Sequence, residues 1–251
     1  LSDTQKMMQQ AARAFLSKRC PTSRVRSIMD TETAFDSELW NGIAEQGWLA
    51  ITLPESVGGL ELGIVEVAVT AEEAGRACLP GPWLANLWAS SLLQSCDASP
   101  KRDALLQAMA TGEAIATVAL LEESAEWSLD GVQLTARRTE DGFVLDGNKR
   151  FVLDAAVADH ILVVARTDQG HAILVVDSEA AGVSINPTPG IDATRKLNDV
   201  TFEGVQVPAD ACLLAGGDLE PRWQRAADIA TVATCAELLG VMQWVLETTV
   251  E

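Results

Sequence analysis

An α+β fold is predicted for this chain: an N-terminal helical domain at residues 1–112, a middle antiparallel β-barrel or sandwich domain at 113–218, and the start of a C-terminal four-helix bundle at 219–251. Three observations predict it. Apolar residues recur at helical spacing as far as Ala110, short β-rich runs then follow one another from Ile115 to Val207, and helical spacing returns near Glu220.

Within the first region, Ser2 or Asp3 can cap a helix running towards Lys18, with Met7, Ala11, Ala14 and Phe15 on one face, and Pro21 closes it. A second helix is expected from Asp36 to Gln46, stopped by Gly47. The stretch Leu53-Pro54-Glu55-Ser56-Val57-Gly58-Gly59 is a turn-rich connection, and helical pattern resumes at Ile64 to Gly75, Trp83 to Ser95 and Pro100 to Ala110. Four or five packed helices follow from this count. Strands are predicted at 115–121, 132–138, 142–147, 149–154, 160–166, 171–177, 182–187 and 199–207, because alternation (Val132, Leu134, Ala136; Val200, Phe202) is punctuated by Asp-Gly, Asp-Gln-Gly and Asp-Gly-Asn turn chemistry. Even spacing of short strands implies an antiparallel sandwich or barrel.

The last helical pattern is still running at Glu251, so a longer parent protein is expected. Its most apolar part, Ile229 to Leu246, is interrupted by Glu237 and Gln243. Cys235, Leu239, Met242 and Leu246 recur there at helical spacing, which predicts a buried bundle helix rather than a membrane span of roughly 20 apolar residues.

Composition narrows the function classes. The 251 residues are 48% hydrophobic and carry a net charge of −18, which makes a packed globular core and argues against binding a phosphate backbone; no nucleic-acid partner is expected. Cys20, Cys78, Cys96, Cys212 and Cys235 are odd in number and contain no C-x-x-C pair, so neither a disulfide framework nor a zinc knuckle is suggested, and a reducing cytosol fits best. His160 and His171 fall inside apolar runs without a ligand-spaced partner and read as strand residues; no metal is expected. The opening LSDTQKMMQQ lacks the charged-then-apolar pattern of a signal peptide, and no membrane association is expected.

Four sequence words, in order, resemble the acyl-CoA dehydrogenase family. They are Gly47-Trp48 with Leu53-Pro54-Glu55 and Gly58-Gly59-Leu60, then Glu73-x-Gly75-Arg76, then DGFVLDGNKRFVLDAAVADHILVVAR, and finally VPADACLLAGG. Together they span essentially the whole chain, and the order of helices, β-domain and helices matches as well. The resemblance implies FAD as cofactor, an acyl-CoA thioester as substrate, and an electron-transferring flavoprotein as electron acceptor. It also implies a homo- or hetero-oligomer, dimeric or tetrameric. In that chemistry a carboxylate removes an α-proton while hydride leaves the β-carbon for the flavin, giving an enoyl-CoA.

Carried over residue by residue, the resemblance places Val118, Leu120 and Leu121 against the pyrimidine side of the flavin, and Phe151, Val152 and Leu153 near its ring system. The sequence departs from the family where threonines are usual, at Leu121 and Leu153, and where Gly-Ser-Asp is replaced by Ser124-Ala125-Glu126-Trp127-Ser128. One of the family's two positions for the catalytic base falls at Ala230, which cannot accept a proton; Asp228 faces another direction on a helix, so the base is expected beyond Glu251. Arg195 is expected to make a structural ion pair or loop anchor, and Trp83 and Trp88 to be core or subunit-contact residues. Alternatives to a complete dehydrogenase are a non-catalytic or half-site subunit of a hetero-oligomer, as in steroid side-chain catabolism, and an acyl-CoA oxidase or flavin monooxygenase relative.

Overall fold

The computed structural model describes residues 1–216 and 219–250. Its first helix, α1 (Asp3–Arg19), starts where a capping box closes. The Ser2 hydroxyl accepts from the Gln5 N–H and the Gln5 side chain accepts from the Ser2 N–H, satisfying two donors that a helix start leaves unpaired. Pro21 ends α1 as expected, but it also opens α2 (Thr22–Met29), a helix absent from the sequence reading. A proline needs no N–H partner at a helix start and its φ of −64° is already suitable, so the residue that stops one helix begins the next. Then come α3 (Ser37–Glu45), capped by Asp36, α4 (Ile64–Arg76), α5 (Trp83–Ser95) and α6 (Pro100–Thr111), capped by Ser99. Six helices therefore precede the sheet among the described residues, not four or five.

The sheet strands are β1 (Ala116–Ala119), β2 (Thr135–Arg138), β3 (Gly142–Leu153), β4 (His160–Thr167), β5 (Gly170–Asp177), β6 (Val183–Thr188), β7 (Leu197–Pro208) and β8 (Cys212–Ala215). They lie in the order β6-β7-β3-β2-β4-β5-β8, with β1 also paired to β4. His160 and His171 stand in β4 and β5. Most pairings are antiparallel, yet β1 runs parallel to β4 from Ala116/His160 to Ala119/Val163, and β2 meets β4 in parallel at Thr135/Arg166, so the sheet is mixed. The excursion through β2 and β3 supplies the long crossover that a parallel pair requires. The two strands expected at 142–147 and 149–154 are one. Asp146-Gly147-Asn148 makes no hairpin but an irregularity in the register against β7, where the Asp146 carboxylate accepts from the Gly204 N–H at 2.7 Å. The segment read as an exit loop contributes β8 as an edge strand, although its final Gly217 lies outside the described residues.

One apolar core joins the sheet to α5 and α6, and a second fills the N-terminal helices around Trp48 and Trp83, whose rings meet edge to face at 6.2 Å. Trp83 is thus a core residue. The final helix, α7 (Leu219–Val250), packs on α4 and α5 through Leu219, Ala226, Ala233 and Gly240, which recur every seven residues, together with Trp223 and Glu237. Small residues allow the closest approach. A Cβ at Gly75 would lie 2.0 Å from the Glu237 carbonyl oxygen, and one at Gly240 would lie 1.9 Å from that of Glu72. The buried seam is therefore not the bulky one expected: Leu239, Met242 and Leu246 are 49%, 60% and 63% exposed, and Cys235 is exposed too. By length and composition α7 could cross a membrane, but its seam is already occupied by α4 and α5. Arg195, on the connection before β7, reaches Glu237 of α7 at 2.7 Å in a largely buried ion pair, tying the sheet to this helix.

Candidate functional site

Two segments of backbone, the exit of β1 and the second half of β3, are fastened side by side. The Thr117 hydroxyl donates to the Leu153 carbonyl at 2.6 Å, the Arg150 N–H to the Leu121 carbonyl at 2.7 Å, and the Lys149 ammonium to the Leu120 carbonyl at 2.8 Å. Lys149 also meets the Glu122 carboxylate at 2.7 Å, and that carboxylate accepts from the N–H groups of Gln133 and Leu134 at 2.8 and 2.9 Å. Burial pushes Lys149 down to about 8, against the pull of Glu122. Burial works to raise Glu122, but the hydrogen bonds from Lys149 and the backbone outweigh it and hold the carboxyl below its ordinary value.

Just past Lys149, the strand turns abnormally. Phe151 adopts φ +54°, a conformation uncommon outside glycine, and leaves its ring 39% exposed. Around it opens a cavity of about 300 Å³, walled by Val118, Leu120 and Leu121 from the β1 side and by Arg150, Phe151 and Leu153 from β3, with Trp88, Ala125, Trp127 and Leu197 completing it. Five of the six expected cofactor-contact residues are brought together. The sixth, Val152, is not: it is buried in the sheet core, because its neighbours on the strand turn towards the cavity and alternation sends it the other way.

Trp88 belongs to this cavity rather than to core or subunit contact alone. Its ring lies 6.4 Å from Trp127 and 5.5 Å from Trp223 of α7, so an aromatic row runs from the cavity mouth to the last helix. Trp127 falls in the segment that replaces the family's Gly-Ser-Asp, and that replacement is the sequence signal that marks it. At the rim, Arg150 pairs with Glu123 at 2.7 Å and with Asp199 at 2.9 Å, and its guanidinium lies over the Phe151 ring at 5.4 Å. At the end of β3, Asp154 sits at φ +50°; its N–H donates to the Lys196 carbonyl at 2.7 Å and its carboxylate accepts from the Lys196 N–H at 3.1 Å. Burial raises this carboxyl to about 6.

No carboxylate lines the cavity among the described residues. Asp228 opens on a separate, larger cleft between α5 and α7, whose lining does not include the half-buried Ala230; Glu251 lies outside the described residues. The arrangement is a slot with apolar and aromatic walls, suited to holding a flat ring system, and without a side chain of its own to take up a proton. Leu121 and Leu153 carry no hydroxyl, so at those two positions only backbone groups are available to a guest.

Comparison with known proteins agrees with this architecture. Residues 2–113 match the family model described as acyl-CoA dehydrogenase, N-terminal domain, and residues 117–205 match the acyl-CoA dehydrogenase, middle domain. The chain is 28% identical over 217 residues to acyl-CoA dehydrogenase FadE29 of Mycobacterium tuberculosis, an overlap of 84% of this chain and 56% of that protein. Benzylmalonyl-CoA dehydrogenase of Aromatoleum aromaticum is 26% identical over 250 residues, covering 96% of this chain and 66% of that one. Among solved structures, the Tcur3481-Tcur3483 steroid ACAD G363A variant superposes with a TM-score of 0.85 at 29% identity, covering 98% of this chain and 65% of its own. The chain thus spans between about half and two thirds of the length of the relatives it matches.

Proposed function

Since this chain belongs to the acyl-CoA dehydrogenase family, we propose that it forms the flavin-ring site of an FAD-dependent enzyme converting an acyl-CoA thioester to the enoyl-CoA, with electrons passed to an electron-transferring flavoprotein. One observation carries the reading: the apolar cavity lies where the family words place the isoalloxazine, between the exit of β1 and the second half of β3. Bound there, FAD would supply the two-electron acceptor for the substrate's β-hydrogen. Phe151 and Trp127 would supply aromatic walls to such a group, Val118 and Leu120 would shield it from water, and Arg150 is held at its rim by Glu123 and Asp199. The steroid description of one structural relative puts a steroid-chain acyl-CoA beside fatty acyl-CoAs as the substrate classes to test. The exposed outer face of α7 supports assembly into a homo- or hetero-oligomer.

The purified protein should carry flavin absorption bands that bleach when a matching acyl-CoA is added without oxygen. Colourless protein that takes up no FAD from solution would refute the reading. A second reading, a half-site subunit that leaves catalysis to a partner, is favoured by Ala230 and by the cavity's lack of a carboxylate. It predicts flavin bands that no acyl-CoA bleaches until the partner subunit is supplied.

A further inference from the structure

A fully buried lysine needs a reason, since removing an ammonium from water is costly and a buried ion pair can often be replaced by apolar residues without loss of stability. Lys149 has no exposed surface. Its stem rises from β3 two residues before Phe151, and both of its bonds end on the opposite segment, at the Leu120 carbonyl and the Glu122 carboxylate. Glu122 is itself held by the backbone of Gln133 and Leu134 at the approach to β2. One side chain therefore joins the two walls of the cavity and refers both to a third element. Among the described residues, Glu122 is the charged group acting on Lys149.

We propose that Lys149 and Glu122 form a positioning pair that sets the gap between the cavity walls, and hence the fit of a flat ring between Leu120 and Phe151. The pair does not touch the ring. It acts by fixing the carbonyl of Leu120 and the backbone beside Phe151, whose φ of +54° is held by its surroundings rather than by its own preference. The Arg150–Leu121 bond next to the pair and the Thr117–Leu153 bond further along β3 keep the strands adjacent without it, so losing the pair should loosen the slot while leaving the sheet intact.

This inference rests on the cavity being the flavin site, and the test separates the two. FAD is titrated into the wild-type protein stripped of flavin and into Lys149→Met, Glu122→Gln and the double variant, with thermal unfolding of each apo-protein followed alongside. Each single variant should bind FAD more weakly by on the order of ten-fold, the scale of one charge-assisted hydrogen bond. The bound flavin should lose fine structure in its visible spectrum, and the double variant should be no worse than Lys149→Met alone, because the two residues act as a unit. Breaking a buried pair from one side destabilises, so each single variant should unfold earlier than wild type, whereas the double variant, with no charge left unpaired, should recover much of its unfolding midpoint while its FAD affinity stays low, which a purely structural role would not allow. Wild-type affinity and spectrum in both single variants, or additive losses in the double, would overturn the proposal. Glu122→Gln carries the test alone if Lys149→Met does not fold. Failure of the wild type itself to take up FAD would instead defeat the functional reading beneath it.

Discussion

Asp154 closes the end of β3 from an unfavourable backbone conformation, and its burial raises the carboxyl to about 6. A carboxyl whose value is raised on folding contributes stability that is complete below its ordinary value of 3.8 and is lost as pH rises through about 6. Asp154→Asn keeps an acceptor for the Lys196 N–H and tolerates a positive φ, but cannot ionise. Urea unfolding at a series of pH values should show wild type losing stability relative to this variant between about 4 and 6 and running parallel to it outside that window. A constant difference across the series would show that Asp154 does not titrate there. At this scale the site was partly legible. Val118, Leu120 and Leu121 on one segment and Phe151 and Leu153 on another could be assigned to one site through the family resemblance, whereas Val152 required knowing which face of β3 looks into the slot. Trp88 and the Lys149–Glu122 pair were hidden because their partners lie 27 or more residues away, beyond the reach of any local pattern.

The crossing of α4 and α7 is where an element depends on single residues. A methyl group at Gly75 or Gly240 would run into the backbone of the other helix, and backbone cannot rotate aside as a side chain can. Gly75→Ala and Gly240→Ala should each cost about 1–3 kcal/mol of unfolding free energy, the scale of core overpacking. The direct measure is denaturant unfolding, and a variant as stable as wild type would mean that the helices can separate there without loss. Helical periodicity, with its end signals, made α1, α4, α5 and α6 readable to within a few residues of their ends, although α1 buries Ala12 and Leu16 while Met7, Ala11 and Ala14 of the expected face are exposed, and α5 is buried nearly all round. It misled on α7, where the buried seam is built from small residues and the bulky ones point outward. α2 was lost behind Pro21, and the parallel pairing of β1 with β4 was invisible because a strand's partner is set by topology rather than by its own residues.

For the whole molecule, the outward face of α7 is expected to drive association despite the net charge of −18. Exposed Leu239, Met242, Val245, Leu246 and Val250 form a patch of the kind that marks a contact surface. Light scattering should show this chain self-associating, and Leu239→Glu with Leu246→Glu should return it to a monomer with its helix content unchanged. A monomeric wild type at high concentration would show that the patch is tolerated in water. The overall class and the order of helices, sheet and helix were legible because composition, periodicity and four sequence words agreed across the chain. Mixed strand direction was not.

The 32 residues of α7 extend about 48 Å. Near its start Trp223 abuts Trp88 at the cavity wall, about two thirds of the way along Gly240 bears on α4, and the exposed apolar face runs from Leu239 to the end of the helix. Arg195 and Arg76 pair with Glu237 and Glu247 along the same rod, so it is held at several points and acts as a splint, bracing the cavity wall, the sheet and the N-terminal helices on one stiff member.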